Sequence, residues 1–348
     1  MLLVLTKRPR FSIASILPRP ELAQFPFESG ISRLKYKPDL FNFSLQSESL
    51  SEILSPTVQS LSWEECCEKR AHALLKLDKE KYYLSFSGGI DSTSALVSLL
   101  KFWPAQERKR IRVLMTETSI LENPAFFDRY VSKLNFVHSQ AQPACDLLDQ
   151  NSILLTGELG DQLFGSDILS EACELFGEDC LKGPYKEYAP KLIEKRGGSR
   201  GHGHLIFENL EPIVDECPFP VRTLHDFFWW FNFTQKWQYV KFRHLESREW
   251  DLSKRYGSHV FHFFDTPEFQ RWSLENHDRK IQKTWESYKF TAKDYIHSFT
   301  KNPDDLHLKK VQSLKRTYLL NALRTGIDVH YNALLTLEYL RPHVRQKN

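Results

Sequence analysis

Between Leu84 and Ala95 the chain reads LSFSGGIDSTSA, and no other stretch constrains the fold as tightly. Tyr82, Tyr83, Leu84, Ser85 and Phe86 alternate as a strand does, while Leu96, Val97, Leu99 and Leu100 recur as the buried face of a helix. The paired glycines Gly88 and Gly89 lie between them, where the backbone turns sharply and brings several N–H groups toward one point. Ser85, Ser87, Ser92 and Ser94 add hydroxyls, and the helix turns its positive end to the same place, so the stretch has the chemistry of a phosphate cradle. Asp91 would repel phosphate unless a hard cation such as Mg²⁺ lay between them. No Gly-Lys-Ser/Thr follows, so this is not a Walker loop.

The neighbouring sequence extends a strand–helix alternation. SWEECCEKRAHALLKL opens with Ser62 as a cap and Glu65 three residues later, predicting a helix that leads into the first strand. Ile111–Thr116 reads as a second strand, residues 123–134 as a helix, Asn135–His138 as a short strand, Pro143–Leu148 as a helical turn and Ser152–Thr156 as a further strand. Nearly unbroken apolar strands separated by helices argue a parallel sheet covered on both faces, with ligands at the carboxyl ends of its strands. Immediately after the last of these strands comes TGELGDQLFGSD, where Gly157 and Gly160 open a tight turn and Glu158 and Asp161 place two acids at the sheet edge that carries Asp91. An acid at a helix start is often only a cap. Two glycine turns that each carry an acid are better explained by one shared Mg²⁺–phosphate ligand.

Beyond Leu169 the sheet pattern stops. Apolar and aromatic helical patterns dominate to the end, notably Leu224–Arg243 and Phe269–Tyr288, and the Glu194–Leu205 stretch, with four glycines and three bases, reads as a mobile loop. His202 and His204 lack a nearby third ligand for a metal. The expected organisation is a β-rich or irregular lead-in over 1–61, an α/β domain over 62–170 and a mostly helical domain over 171–348 that completes the substrate site.

A net charge of +3 from nearly balanced acids and bases gives no global reason to expect nucleic acid or a membrane surface. The six cysteines form no CxxC pair and suit reduced thiols in a cytoplasmic protein. No apolar run reaches bilayer length. Lys7, Arg8, Arg10 and Arg19 precede any acid, as in a transit peptide, but the alternation in Leu2–Thr6 and Arg10–Ile13 suits a strand pair equally well.

Ser87-Gly88-Gly89-Ile90-Asp91-Ser92 resembles the pyrophosphate (PP) loop of the ATP pyrophosphatases. Gly157-Glu158-Leu159-Gly160-Asp161-Gln162-Leu163-Phe164-Gly165 is similar to the second signature of the asparagine synthetases, β-lactam synthetases and lasso-peptide cyclases. His262-Phe263-Phe264-Asp265 is a looser likeness to that family's Pro-Phe-Leu-Asp segment. The resemblance implies a doubly wound, mostly parallel sheet of the PP-loop type. It also implies an AMP-forming amide ligase, in which a carboxylate attacks the α-phosphate of ATP and ammonia or an amine then attacks the acyl-adenylate. By that resemblance Ser85, Ser87, Gly88, Gly89, Ser92 and Gly157 hold ATP, Asp91 and Asp161 share Mg²⁺, and Glu158 serves the amide-forming half. Met115 falls where the family's adenine makes backbone contacts, and a core methionine fits there as well.

The departures matter. Leu2 stands where glutamine-using relatives expose a cysteine, and about 60 residues replace their glutaminase domain, so the resemblance implies free ammonia, an amine, or ammonia from a separate amidotransferase partner. Gln162 replaces the usual Glu, removing a charge beside the metal. The family's late lysine falls without gaps on Val311, which makes Lys310 the catalytic candidate, with Lys309 beside it and Lys289 and Lys293 an i, i+4 pair upstream. A tRNA-modifying enzyme that adenylates a base, and a non-catalytic nucleotide-binding relative, are the alternatives. The missing CxxC and the small charge weigh against the first, and the intact Asp91, Asp161 and Glu158 against the second.

Overall fold

The computed structural model describes residues 49–138, 147–197, 202–242 and 259–308. Five strands form one sheet: β1 Lys81–Ser85, β2 Ile111–Met115, β3 Asn135–His138, β4 Ser152–Thr156 and β5 Val260–His262. Every neighbouring pair is parallel, in the order β3-β2-β1-β4-β5. Tyr82–Leu84 of β1 and all of β4 are buried, as unbroken apolar strands covered on both faces must be. Chain order runs outward from β1 to β3 and then resumes on the other side with β4, so the reversal falls between β1 and β4. In open α/β sheets that crevice is where ligands collect.

Local signals explain most of these elements. Ser62 and Glu65 exchange hydrogen bonds of 2.7 and 3.3 Å ahead of helix α1, Trp63–Leu75, as the capping box requires. Helix α2, Ile90–Phe102, follows β1 directly through Phe86–Gly89. The helix expected over 123–134 is Pro124–Arg129 followed by a 3₁₀ turn Val131–Lys133, and it stands apart from a preceding helix Glu117–Glu122. The cause is Pro124, which cannot extend a helix but suits the first turn of a new one, with the Asn123 side chain accepting from Phe126 N.

β5 lies in a region whose sequence promised only helices. It is three residues long, and its aromatic run continues past its end, so no alternation marks it. Phe263 N donates to Thr156 O (2.8 Å), Thr156 Oγ1 lies 2.7 Å from His262 Nδ1, and Arg70 Nη2 donates to His262 O (2.7 Å). The Pro143–Leu148 turn lies mostly outside the described residues, as do residues 1–48 of the 1–61 lead-in. Within the lead-in, Leu50–Ile53 forms a short helix behind a Ser49–Glu52 capping box.

Among the described residues the chain gathers into two compact units that are discontinuous in sequence. One holds residues 67–157, 258–263 and those from 292 on, and contains the sheet. The other holds the residues up to 66, 158–257 and 264–291. The boundary thus falls between Gly157 and Glu158, inside the second acidic stretch, where the sequence placed it near residue 170.

The second unit contains helix α3, Gly160–Phe164, and helix α4, Leu224–Phe231, which continues through a π-helical turn Asn232–Lys236 into Trp237–Phe242. Leu224, Phe227, Phe228 and Phe231 of α4 are buried with Tyr185, Leu192 and Phe207 in its core. Each such side chain contributes about 1.5–3 kcal/mol of burial. Trp63 packs on Phe164, Phe264, Phe269 and Trp272 at ring separations of 4.7–5.6 Å. Helix α5, Pro267–Glu275, is shorter than the expected Phe269–Tyr288, because Asn276 leaves helical geometry (φ −120°, ψ 51°) and 3₁₀ turns follow. The expected loop 194–205 also changes. Helices Tyr185–Gly197 and His202–Leu210 occupy its two ends, and a side chain on Gly203 would collide with Glu194 and come within 2.5 Å of Pro190 O, so this glycine serves close helix packing. No helix among the described residues is long and apolar enough to cross a membrane.

Candidate functional site

The sheet unit presents one group of candidate residues at the carboxyl ends of β1 and β4. Ser85 is exposed at the end of an otherwise buried central strand, and Ser87 is exposed two residues on. Gly88 and Gly89 differ in what they require. Gly88 has φ +79°, and a side chain there would run into Ser119 O and stand 2.8 Å from Glu122 Cβ. Gly89 is an ordinary extended N-cap (φ −73°, ψ 168°), and a Cβ on it would meet only Ser87 Oγ, at 3.3 Å. The sharp turn is therefore made by Gly88 alone, while Gly89 leaves open space before the first turn of α2. Ser92 Oγ organises the loop, accepting from Ser87 N (3.2 Å) and lying 3.1 Å from Ser87 Oγ. Asp91 is half-buried in that first turn.

Gly157 joins the second stretch to the first. A Cβ there would stand 2.8 Å from Ser92 N, 2.9 Å from Ser92 Cα and 3.0 Å from Asp91 C. The loop leaving β4 therefore rests backbone to backbone on the helix start that carries Asp91. Its glycine is needed for that approach, and the left-handed corner of the turn falls elsewhere, on Leu159 (φ +72°). A non-glycine residue there costs about 1–2 kcal/mol, and burial of the Leu159 side chain to 1% exposure holds it in place. Met115 is 4% exposed and packs in the core, so its side chain is not offered to a ligand.

In the second unit Asp161 opens α3, and its Oδ1 receives Lys289 Nζ at 2.7 Å and the Tyr288 hydroxyl at 3.5 Å. Lys289 is 1% exposed and adopts φ +61°, with its N–H donating to Lys280 O (2.8 Å). Its ammonium also faces the Phe164 and Tyr288 rings at 5.9 and 5.6 Å. The sequence offered Lys289 only as one of an i, i+4 pair. Helix Phe290–Thr300 begins just after it, so that pairing does not hold, and its sequence context carries no other signal. Lys310, the candidate from sequence, lies outside the described residues. Gln162, the residue in place of the family's Glu, is buried against the helix that follows α4. It is 2% exposed, and its Nε2 donates to Asn232 Oδ1 at 3.1 Å. Asp265, in the third similar segment, forms an ion pair of 2.6 Å with Lys241.

A buried polar chain lies in the same unit. Asp226 accepts from Arg222 N and Thr223 N at 2.9 and 2.8 Å, His277 Nε2 meets Asp226 Oδ1 at 2.8 Å, and Lys280 Nζ meets His277 Nδ1 at 2.9 Å. Lys280 Nζ also sits 3.4 Å over the Trp229 ring. Burial pushes the Lys280 amine well below its ordinary value, against the attraction of Asp226 and the ring face. Burial works against the Asp226 charge too, but hydrogen bonds from His277 and the Thr223 and Arg222 amides outweigh it and hold the carboxyl below the usual range. Burial, with the cation of Lys280 nearby, lowers His277 and brings His225 down to about 3. His225, Asp226 and His277 each offer a ligand atom within 4.8 Å of the others. Those groups are already engaged, since His225 Nε2 donates to Phe164 O (3.1 Å) and the Lys280–His277–Asp226 chain balances its own charge. We read the cluster as a polar core.

The residues at the sheet edge fit a magnesium–nucleotide ligand on chemical grounds. Open space beyond Gly89, exposed serine hydroxyls and a helix start suit phosphate, and hard carboxylate oxygens suit Mg²⁺. No family model matches the chain, and no curated protein matches it.

Proposed function

We propose that this protein is an ATP-dependent, AMP- and pyrophosphate-forming ligase that adenylates a carboxylate and passes the acyl group to ammonia or an amine. The observation that carries this reading is the carboxyl edge of β1 and β4. There a glycine turn, two exposed hydroxyls, a helix start and Asp91 converge where strand order reverses. The likeness of both acidic stretches to asparagine synthetase-type enzymes supports it.

In this reading backbone amides at Gly89 and the first turn of α2, with Ser85, Ser87 and Ser92, hold the departing pyrophosphate, whose charge grows in the transition state. Asp91, a hard carboxylate at the start of α2, would hold Mg²⁺, which offsets that charge when bound. Lys289 takes the part first given to Lys310: an ammonium fixed by Asp161 in an aromatic surround is preorganised to meet charge developing at phosphorus. Glu158 accepts the proton released when the amine attacks. The carboxylate and the nitrogen donor are small molecules, with a separate amidotransferase one possible source of ammonia.

The test is ATP–pyrophosphate exchange with Mg²⁺ across a panel of carboxylic acids. We expect one acid class to promote exchange, and Asp91→Asn and Lys289→Met each to lower it about 10²–10³-fold with unchanged circular dichroism. Formation of ADP and phosphate, or near-wild-type exchange in both variants, would remove the proposal.

A further inference from the structure

Asn232 is the lone carboxamide in the aromatic run LHDFFWWFNF, and it is 1% exposed. A buried amide is tolerated when its donors and acceptors are all used, and here they are used in one direction only. Asn232 Nδ2 donates to Gly165 O and to Asp161 O (3.4 Å), and Oδ1 accepts from Gln162 Nε2 (3.1 Å). Turning the Asn232 amide over would set its oxygen against two carbonyls. Turning Gln162 over would set oxygen against oxygen. The arrangement shown is therefore the one in which every contact pairs a donor with an acceptor.

These bonds complete a row. His225, Trp229 and Asn232 recur at helical spacing along α4 and the start of the π-helical turn, and they reach Phe164 O (3.1 Å), Leu163 O (3.1 Å) and Gly165 O in turn. Helix α3 has five residues, so its last carbonyls lack partners of their own. The row supplies them. Asn232 is the member that also grips the carbonyl of Asp161, whose carboxylate holds Lys289.

We propose that Asn232, oriented by Gln162, is a positioning residue that sets the Asp161–Lys289 pair. This rests on the ligase reading only for what the pair does in catalysis. Asn232→Asp and Gln162→Glu keep shape and volume but replace a donor with an acceptor, so each should loosen Asp161 specifically.

The experiment is competitive amine acetylation of the intact protein, read by mass spectrometry at Lys289, with exposed Lys182 and buried Lys280 as references. We expect Lys289 labelling to rise about tenfold or more in both variants while Lys280 stays protected, matching the loss of one charge-linked contact. Exchange kinetics should show a fall in kcat of similar size, with KM for ATP within about twofold. If Lys280 and Lys289 become labelled together, or Lys289 labelling does not change, the positioning role is overturned. Should Asn232→Asp fail to fold, Gln162→Met, which removes the orienting donor without adding charge, decides by the same labelling. Selective exposure of Lys289 in a protein without exchange activity would sink the ligase reading and leave the positioning role standing.

Discussion

Three glycine-to-alanine variants separate the two ways in which a side chain can be excluded from this fold. Gly177 has φ +81° with nothing within 4 Å of a new Cβ, so alanine there meets conformational strain alone. With ψ 160° this is a region essentially only glycine adopts, costing about 1–3 kcal/mol, partly offset by about 0.4–1 kcal/mol from a stiffer unfolded chain, leaving a loss of about 1–2 kcal/mol. Gly157 carries no such strain, but its Cβ would lie 2.8–3.0 Å from backbone atoms of Asp91 and Ser92, which cannot swing aside as a side chain can. Overpacking of this kind costs about 1–3 kcal/mol. Gly88 combines φ +79° with a collision at Ser119 O, so the two penalties add to roughly 2–5 kcal/mol. Urea unfolding followed by circular dichroism, with m unchanged, gives the three values. Gly157→Ala should also lower exchange activity more than its stability loss explains, because the displaced atoms belong to the helix start that carries Asp91. A Gly88→Ala variant no less stable than Gly177→Ala would refute the Gly88–Ser119 contact, and a Gly157→Ala variant equal to wild type would refute the close approach of the β4 loop to the start of α2.

Glu158→Gln should spare ATP–pyrophosphate exchange and suppress amide formation, measured as product released per AMP; equal loss of both would remove Glu158 from the second half-reaction. Acid should destabilise the helical unit through His225. Held neutral down to about pH 3 in the fold and titrating near 6.5 when unfolded, it makes the unfolded chain bind more protons across that window, so stability falls as pH drops. At pH 4.5 its share is about 2–3 kcal/mol relative to pH 7, with His277 acting in the same direction. Asp226 adds a further loss in stronger acid, because its depressed carboxyl favours the fold above its unfolded value near 3.9 and ceases to as pH falls through the folded one. A His225→Gln variant should show a flatter midpoint-versus-pH curve in urea titrations, and a curve parallel to wild type would count against this assignment.

The parts of the structure legible in the sequence were those built from local rules. The Ser62–Glu65 capping box, the apolar runs of β1, β2 and β4, and the Gly88 corner follow from propensity, periodicity and backbone sterics over a few residues. What escaped depends on distant partners. β5 becomes a strand because β4 has an open edge beside it, and Val-Phe-His carries no alternation of its own. Lys289 is an unremarkable lysine until Asp161, 128 positions earlier, is placed on its ammonium. Gln162 read as a missing charge because its partner Asn232 sits in a helix whose sequence advertises only aromatic burial.

The fifth strand has a practical consequence for anyone wishing to isolate the sheet. Cutting the chain at residue 170 would remove Val260–His262 and leave the Leu154–Thr156 edge of β4, a strand buried throughout, facing water. Such an edge recruits other chains, so the excised fragment would meet itself before it met a ligand. The open edge of β4 is thus covered by three residues from more than a hundred positions downstream.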